Sequence, residues 1–373
     1  MPFVNYSLQY KNIKKQIDKT MADVLSRGDL ILRKDTEEFE VKLANFIDVK
    51  YAIGLNSGTD ALFFSLIACG IKKGDEVITV SHTFVASIAT IVQAGGKPVL
   101  VDVGDDYVMD IDKLEKAIGP KTKFIIPVHL NGRMVDMEKV IAVAKKYNLT
   151  VIEDAAQSIG AKFKMKKSGW RVAGSVGLTG CFSFYPAKIL GCFGDGGAVV
   201  TDNPEVAGKV RLLRDHGQET KTNIVCYGWN SRLDNLQAAV LNVKFAYLSD
   251  WIKRRREIAD IYSRKLIGVK EIKLPPKTDS DPNRCDVFQN YVVRAEKRNE
   301  LYDYLKENGV ETLIKDRVAN HRQPGLKLSR FKLPVSEKLA GEVMSLPMYP
   351  ELTNRQVDYV IKCVIDFYRH GRV

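Results

Sequence analysis

The sequence predicts an α/β protein with a large, mostly parallel sheet and a smaller C-terminal α/β unit. Between residues 50 and 201, short apolar runs alternate with helix-like segments, which is the pattern of consecutive βα units. The chain has 373 residues, 45% of them hydrophobic, and this length favours two domains. Its character changes near residue 245. We therefore predict a large domain of residues 1–245 and a small domain of residues 246–373.

Each predicted element follows from a local pattern. Short apolar runs bounded by turn residues predict strands at 51–55, 76–80, 98–102, 123–128, 150–153, 180–185 and 197–201. Apolar residues at helical spacing predict helices at 60–69, 86–94 and 137–147. Residues 233–265 contain few Gly or Pro residues and predict one long, kinked helix that bridges the two domains. A turn-rich loop at 275–282, a strand at 287–295 and a helix at 297–308 are expected after it.

Composition and charge argue against several classes of protein. The net charge is +12, but Lys and Arg alternate with acids outside the run 253–256, so we expect no nucleic-acid partner. No apolar run is long enough to cross a bilayer and the N-terminus lacks a secretion signal, so we expect a cytoplasmic protein without a membrane partner. The six cysteines are scattered, which predicts neither a metal site nor a disulfide framework.

Lys188 and Asp154 are the strongest candidates for catalysis. Lys188 follows the apolar run 180–185 and precedes the glycine-dense stretch 194–197, while Asp154 ends the predicted strand 150–153. Charges at strand ends are costly unless they are paired or functional, and a structural salt bridge is the alternative interpretation. A lysine that forms an imine and an acid that keeps a pyridine nitrogen protonated are the groups that pyridoxal phosphate chemistry needs.

Two further segments suit the same cofactor. Residues 54–60 follow a strand and open a helix, so their backbone N–H groups and the helix dipole favour a phosphate, although Ser57 is also an ordinary helix cap. Phe84 follows another strand, where its ring either lies against a flat cofactor or joins the core.

Taken together, these segments resemble the DegT/DnrJ/EryC1/StrS family of sugar aminotransferases, a branch of the fold type I pyridoxal phosphate enzymes. The resemblance covers nearly the whole chain and rests on four motifs in order, at 56–62, 153–157, 183–188 with 194–198, and 230–239. It implies a large domain with a seven-stranded sheet, a small α/β domain, and a homodimer whose active sites lie at the subunit interface.

The resemblance assigns roles to individual residues. Lys188 would form the imine with the cofactor, Asp154 would pair with its ring nitrogen, and Gln157 would contact its phenolic oxygen. Phe84 would stack on the ring. Four residues would bind the phosphate: Ser57, Gly58, Thr59 and Ser183. Asn230 would contact the phosphate bound in the partner subunit, so each site would need both chains.

The implied reaction moves an amino group from L-glutamate to a nucleotide-linked keto sugar in two alternating half-reactions. The segments around Lys188 resemble members that act at the 3-position, with 4-keto sugars as the alternative. The product would serve surface polysaccharides, such as lipopolysaccharide, or glycosides. Residues of the sugar pocket would be Tyr185, Lys315, Arg317 and His321. Lys315 and Arg317 would bind a diphosphate or a carboxylated sugar; the alternative is that both are simply exposed to solvent.

Three other functions remain open at this stage. Sugar dehydrases of the same fold use histidine in place of the lysine, and Lys188 argues against that class. A noncatalytic regulator or nucleic-acid binder would use the basic surface and would have no need of Lys188 with Asp154. A Rossmann dehydrogenase is disfavoured because no Gly-x-Gly-x-x-Gly opens a helix after the first strand.

Overall fold

The computed structural model describes residues 1–315 and 317–370. Asp316 and residues 371–373, which belong to the predicted small domain, lie outside the described residues. The described α-helices are α1 (Tyr6–Arg27), α2 (Lys34–Ile47), α3 (Gly58–Ala68), α4 (Ala86–Gln93), α5 (Met137–Tyr147), α6 (Pro204–Arg214), α7 (Asn235–Phe245), α8 (Leu248–Leu266), α9 (Arg298–Glu307), α10 (Pro334–Glu342) and α11 (Asn354–His370). Short 3₁₀ helices occur at Ile111–Lys113, Glu115–Ala117, Leu130–Gly132, Asn320–Arg322 and Pro324–Leu326.

The described strands form one large sheet and several small ones. They are β1 (Tyr51–Leu55), β2 (Glu76–Val80), β3 (Lys97–Val101), β4 (Thr122–Ile125), β5 (Thr150–Asp154), β6 (Lys162–Met165), β7 (Gly169–Val172), β8 (Thr179–Ser183), β9 (Gly197–Thr201), β10 (Gln218–Thr220), β11 (Asn223–Ile224), β12 (Ile272–Lys273), β13 (Arg284–Cys285), β14 (Tyr291–Ala295) and β15 (Val343–Leu346). The large sheet has seven strands in the order β1-β9-β8-β5-β4-β2-β3.

Six strands of the large sheet run parallel, and β9 is antiparallel to both of its neighbours. The predicted seven-stranded, mostly parallel sheet is therefore confirmed. Because β1, β2, β4, β5 and β8 point the same way, the loops that follow them meet at one edge of the sheet, which is where ligands bind in open α/β sheets. Asp154 and Ser183 are the last residues of β5 and β8 and lie at this edge.

Neighbouring residues of one strand enter two different cores. Val151 belongs to a cluster that includes side chains of α2, α5 and α7, whereas Ile152 belongs to a cluster with side chains of α3 and α6. Successive side chains of a strand point to opposite faces, so helices cover both faces of the sheet. This double burial explains why the middles of the predicted strands are apolar on both faces.

The helix predicted over residues 233–265 is divided into α7 and α8, and the break falls at Ala246 and Tyr247. Neither residue is a usual helix breaker. Leu241 of α7 packs into the core beside the large sheet, whereas Ile258 of α8 packs into a separate core formed by residues between 258 and 367. Leu248 at the start of α8 still joins the large core, so α8 begins at that core and ends in the separate one. The domain boundary at 245 stays a prediction.

The sequence analysis assigned no element before residue 50, where the structure has α1 and α2. Both helices contact α7: α2 packs its buried side chains into the large core, whereas Ile13 and Ile17 of α1 form a smaller cluster with Val240 of α7. Among the described helices, none is both long and apolar enough to cross a membrane. Within the same residues, no group of three or more His, Cys, Asp or Glu side chains is placed to hold a metal ion.

Candidate active site

A cavity of about 540 Å³ lies at the edge of the sheet where the parallel strands end. It brings together residues that are far apart in the sequence, and its lining includes most of the predicted site residues: Gly58, Thr59, Phe84, Asp154, Gln157, Ser183, Tyr185, Lys188 and Lys315. Ser57 directly precedes this lining as the N-cap of α3. The volume lies within the range of small-molecule sites.

A tight turn after β8 carries Lys188 on the cavity wall. The Lys188 backbone N–H donates to the Tyr185 carbonyl at 2.8 Å, and the Cys192 N–H donates to the Phe184 carbonyl at 2.7 Å. At Gly191, a Cβ atom would lie 2.6 Å from the Pro186 carbonyl oxygen, so the turn closes only with glycine there. The turn therefore fixes the backbone from which the Lys188 side chain extends.

The Lys188 amine is poised to act as a nucleophile. Burial, together with the positive charge of Lys315, lowers the pKa of Lys188 to about 7, while the negative charge of Asp154 opposes the shift. A large fraction of the amine is thus neutral near pH 7, and the neutral form is the one that attacks a carbonyl carbon.

Asp154 is buried and is held from two sides. Its Oδ2 accepts a hydrogen bond of 2.7 Å from the Ser87 hydroxyl, and its Oδ1 accepts one of 3.2 Å from the Ala156 N–H. Asp154 and Lys188 both line the cavity and interact through their charges, yet among the described residues the two side chains form no ion pair with each other. The salt bridge considered from the sequence is therefore not formed. Ser87 was missed because a serine inside an apolar helical pattern gives no distinctive signal.

Below Asp154 lies a second buried acid, which the sequence analysis did not assign. Glu153 pairs with His129 at 2.8 Å and accepts three backbone hydrogen bonds from Gly174, Val176 and Gly177. Burial opposes the charge, but these donors hold the pKa of Glu153 below its ordinary value. The Val135 N–H donates to His129 Nδ1, so His129 carries its proton on Nε2 and donates to Glu153. A charged residue one position before Asp154 in an apolar strand was the available signal.

The start of α3 forms the phosphate-type loop. The Ser57 hydroxyl accepts a hydrogen bond of 3.0 Å from the Asp60 N–H and so caps the helix. A Cβ atom at Gly58 would lie 2.7 Å from Ser183 Cβ, and one at Gly197 would lie 2.2 Å from the Ser57 carbonyl carbon. Glycine is therefore required where this loop packs against β8 and β9. The helix N-terminus faces the cavity at Gly58 and Thr59 and offers backbone N–H groups to an anion.

Phe84 and Gln157 lie on other walls of the cavity. The Phe84 side chain is 56% exposed, and the ammonium group of Lys315 lies 5.5 Å from its ring centroid. Asn320 donates to the backbone carbonyls of Ser81 and Thr83 and so holds the segment that leads to Phe84. Gln157 Oε1 accepts a hydrogen bond of 2.9 Å from the Asn131 N–H, which fixes its side chain at the cavity.

Besides Ser57, three predicted residues lie outside the cavity lining of their own chain. His321 is fully buried, and its ring nitrogens lie within hydrogen-bond distance of the Ser81 hydroxyl (2.8 Å) and of Glu337 (3.1 Å). Arg317 is exposed, with its guanidinium 5.7 Å from the ring centroid of Tyr302. Asn230 is exposed next to its backbone bridge with Asp215. His321 thus supports the segment before Phe84 and has no ring nitrogen left for a sugar.

The sequence model of the DegT/DnrJ/EryC1/StrS aminotransferase family matches residues 11–365. The chain belongs to this family. It is 42% identical to the pleiotropic regulatory protein of Geobacillus stearothermophilus over 99% of both chains. It is 40% identical to the dTDP-3-amino-3,4,6-trideoxy-alpha-D-glucose transaminase of Streptomyces venezuelae, over 98% of this chain and 95% of that one.

A solved structure has the same fold. The crystal structure of S. venezuelae DesV in complex with a ketimine intermediate matches with a TM-score of 0.94 and 38% identity, covering 100% of this chain and 99% of that one. The predicted fold type I aminotransferase architecture and the predicted family are thus confirmed, and the chain is an aminotransferase.

The cavity of this DegT/DnrJ/EryC1/StrS aminotransferase fits pyridoxal phosphate. The start of α3 offers an anion site, Lys188 offers a neutral amine, and Asp154 offers a buried carboxylate with a fixed orientation. Phe84 presents a flat apolar face. The start of α3 would hold the phosphate and Lys188 would bond to the aldehyde carbon. Asp154 would pair with the ring nitrogen, and Phe84 would cover one face of the ring.

Proposed function

We propose that this aminotransferase moves an amino group from L-glutamate to the 3-keto group of a nucleotide-linked 6-deoxyhexose, for surface polysaccharide or glycoside biosynthesis. The observation that carries the proposal is the placement of Lys188 and Asp154 in one cavity with the N-terminus of α3. The name of the S. venezuelae relative supports the 3-position. A 4-keto sugar is the alternative.

Each residue around the cofactor would have its own role in the reaction. When bound, pyridoxal phosphate supplies a ring that accepts electron density as the α-proton of the amino acid leaves. Asp154, oriented by its hydrogen bonds from Ser87 and Ala156, would pair with a protonated ring nitrogen. Lys188 Nζ takes up the α-proton and returns it to the adjacent carbon. Phe84 and Gln157 hold the ring in one orientation, and Ser57, Gly58, Thr59 and Ser183 bind the phosphate.

Tyr185 and Lys315 would contact the sugar nucleotide. The Tyr185 side chain is 54% exposed on the cavity wall, and Lys315 brings a positive charge to the same cavity. A diphosphate or a carboxylate would bind to the ammonium group of Lys315. The net charge of +12 would attract either anion to the protein. Arg317 and His321 are not part of this proposal because they lie outside the cavity lining.

We further infer a homodimer with shared sites. The segment that includes β10 and β11 exposes large apolar side chains: Tyr227 is 97% exposed, Ile224 66% and Trp229 42%. Exposed apolar surface of this kind is typical of a protein interface. Asn230 follows Trp229 directly, so a partner that covers this segment would place Asn230 close to another copy, where it would bind the phosphate.

The test of the main proposal uses the colour of the cofactor. The purified protein is expected to be yellow, and adding L-glutamate should remove the long-wavelength absorbance, whereas D-glutamate should not. The aminated protein is then mixed with nucleotide-linked 3-keto and 4-keto sugars. We expect the colour to return faster with 3-keto sugars. A colourless protein that binds no pyridoxal phosphate would refute the proposal, and faster return with 4-keto sugars would refute the 3-position.

A second prediction concerns Lys315. Its charge lowers the pKa of Lys188, so Lys315→Met should raise that pKa, although burial will keep it below the ordinary lysine value of 10.5. Because only the neutral amine reacts, the labelling of cofactor-free protein by pyridoxal phosphate should rise with pH. The midpoint should lie near pH 7 for the wild type and higher for the variant, measured by borohydride trapping and mass spectrometry.

The matched control is Lys332→Met, an exposed lysine outside the cavity lining. It removes the same charge from the protein and should leave the midpoint unchanged. An equal upward shift in both variants would mean that Lys315 has no specific influence on Lys188.

A further inference from the structure

The turn that carries Lys188 is held by the side chain of Gln289, about a hundred residues further along the chain. Gln289 Oε1 accepts a hydrogen bond of 2.9 Å from the Ile189 N–H, and its Nε2 donates one of 2.7 Å to the Ala187 carbonyl. One amide group therefore bonds to the peptide groups on both sides of Lys188. Gln289 is only 7% exposed and also lines the cavity. No local sequence pattern points to this contact, because the two segments are about a hundred residues apart.

Gln289 is itself held by a buried guanidinium. Arg255 of α8 is 3% exposed, and its Nη1 donates to three carbonyls, those of Phe288, Gln289 and Met348, at 3.0 to 3.2 Å. Phe288 has a φ of +50°, which an L-amino acid rarely adopts. The bonds from Arg255 secure this backbone conformation and with it the direction in which Gln289 points.

We propose that Gln289 is a positioning residue that sets the place of the Lys188 amine by bonding to both neighbouring peptide groups. The inference rests on the proposed function, in which Lys188 bonds to the cofactor. The site chemistry is specific: the Ile189 N–H needs an acceptor and the Ala187 carbonyl needs a donor. An amide supplies both, and so does a protonated carboxyl group. A carboxylate supplies only the acceptor, and a thioether supplies neither in useful strength.

The test compares Gln289→Met with Gln289→Glu in cofactor-free protein. Pyridoxal phosphate is added, the mixture is reduced with borohydride at timed intervals, and the labelled fraction of Lys188 is measured by mass spectrometry. Gln289→Met should label about 10- to 100-fold more slowly than the wild type at every pH, because a displaced nucleophile reacts slowly. Hydrogen exchange of the Ile189 amide should be about tenfold faster in this variant.

The rate at which Gln289→Glu is labelled, relative to the wild type, should depend on pH. No such dependence is expected if residue 289 has a merely structural role. At pH 9 its carboxylate repels the Ala187 carbonyl, and labelling relative to the wild type should be slow. As the pH falls the buried carboxyl group gains a proton, its O–H replaces the amide donor, and the ratio to the wild type should rise toward one. This pH dependence of the ratio needs only Gln289→Glu and the wild type, so it decides the matter even if Gln289→Met does not fold.

Gln93→Met and Gln93→Glu, at an exposed position at the end of α4, are the matched controls and should label like the wild type. Failure of the wild type to label at Lys188 would refute the proposed function and this inference together. Two outcomes would overturn the inference alone. In the first, the wild type and Gln289→Met are labelled equally fast; in the second, the labelling ratio of Gln289→Glu to the wild type does not change with pH.

Discussion

Lys188→Ala is expected to lower the rate of transamination by at least about 10⁴-fold. The variant loses the amine that bonds to the cofactor and the base that moves the α-proton, and among the described residues of the cavity lining the one other lysine is Lys315. Lys315 lies over the Phe84 ring rather than on the turn after β8. The rate is measured as the loss of long-wavelength absorbance after L-glutamate is added to protein reconstituted with pyridoxal phosphate.

The matched control for this variant is Lys162→Ala, an exposed lysine on β6, which should keep wild-type activity. Cofactor should still bind to Lys188→Ala without a covalent bond, since the start of α3 is unchanged, but borohydride should leave no adduct at position 188. Activity within tenfold of the wild type would refute the role of Lys188.

The same variant tests the shared site. If Lys188 and Asn230 serve one site from different subunits, mixing Lys188→Ala with Asn230→Ala should restore part of the activity, because the mixed dimer contains one complete site. Each variant assayed alone, without added cofactor, should show only low transamination activity. No recovery after the two chains have been unfolded and refolded together would argue that each subunit completes its own site.

Asp154→Asn is expected to reduce the rate of the first half-reaction by about 10³-fold, which is within the range for loss of one electrostatic partner of a reacting group. The amide has the same size as the carboxylate and can still accept the hydrogen bond from Ser87, so the fold should persist. It carries no charge, however, and cannot hold a proton on the ring nitrogen. The measurement is a single-turnover absorbance change with L-glutamate.

Two variants separate charge from position. Ser87→Ala removes the 2.7 Å hydrogen bond but keeps the Asp154 charge, so its loss should be about tenfold. Asp195→Asn removes an acid from the same cavity lining and should reduce the rate by less than about tenfold. Equal losses in Asp154→Asn and Asp195→Asn would show that the general charge of the cavity matters and that Asp154 has no special role.

The elements of the large sheet could be predicted because each depends on a local pattern. The predicted bounds of β1, β2, β9 and α5 equal the observed ones, since apolar residues there end at turn residues. The start of β14 was placed four residues too early, at 287 instead of Tyr291. Residues 287–290 are apolar or neutral like a strand, but they bend around the cavity with a positive φ at Phe288, and that bend depends on Arg255.

Site residues with a strong chemical identity were also found from the sequence. Lys188 and Asp154 are charged groups at the ends of apolar strands, and the structure places both on one cavity. His321 shows the limit of this reasoning. A histidine ring can bind a sugar, but in the folded chain both ring nitrogens of His321 already lie within hydrogen-bond distance of Ser81 and Glu337.

By itself the sequence determined the α/β class, the order of the strands along the chain, the family, and the lysine and acid of the site, because periodicity and charge at strand ends are local properties. Tertiary structure alone decided where the helix after residue 233 breaks, that Glu153 is balanced by His129, and that Gln289 grips the turn of Lys188. Each of these depends on which distant groups are brought together when the two cores form, and hydrogen bonds between such groups leave no pattern in the order of residues.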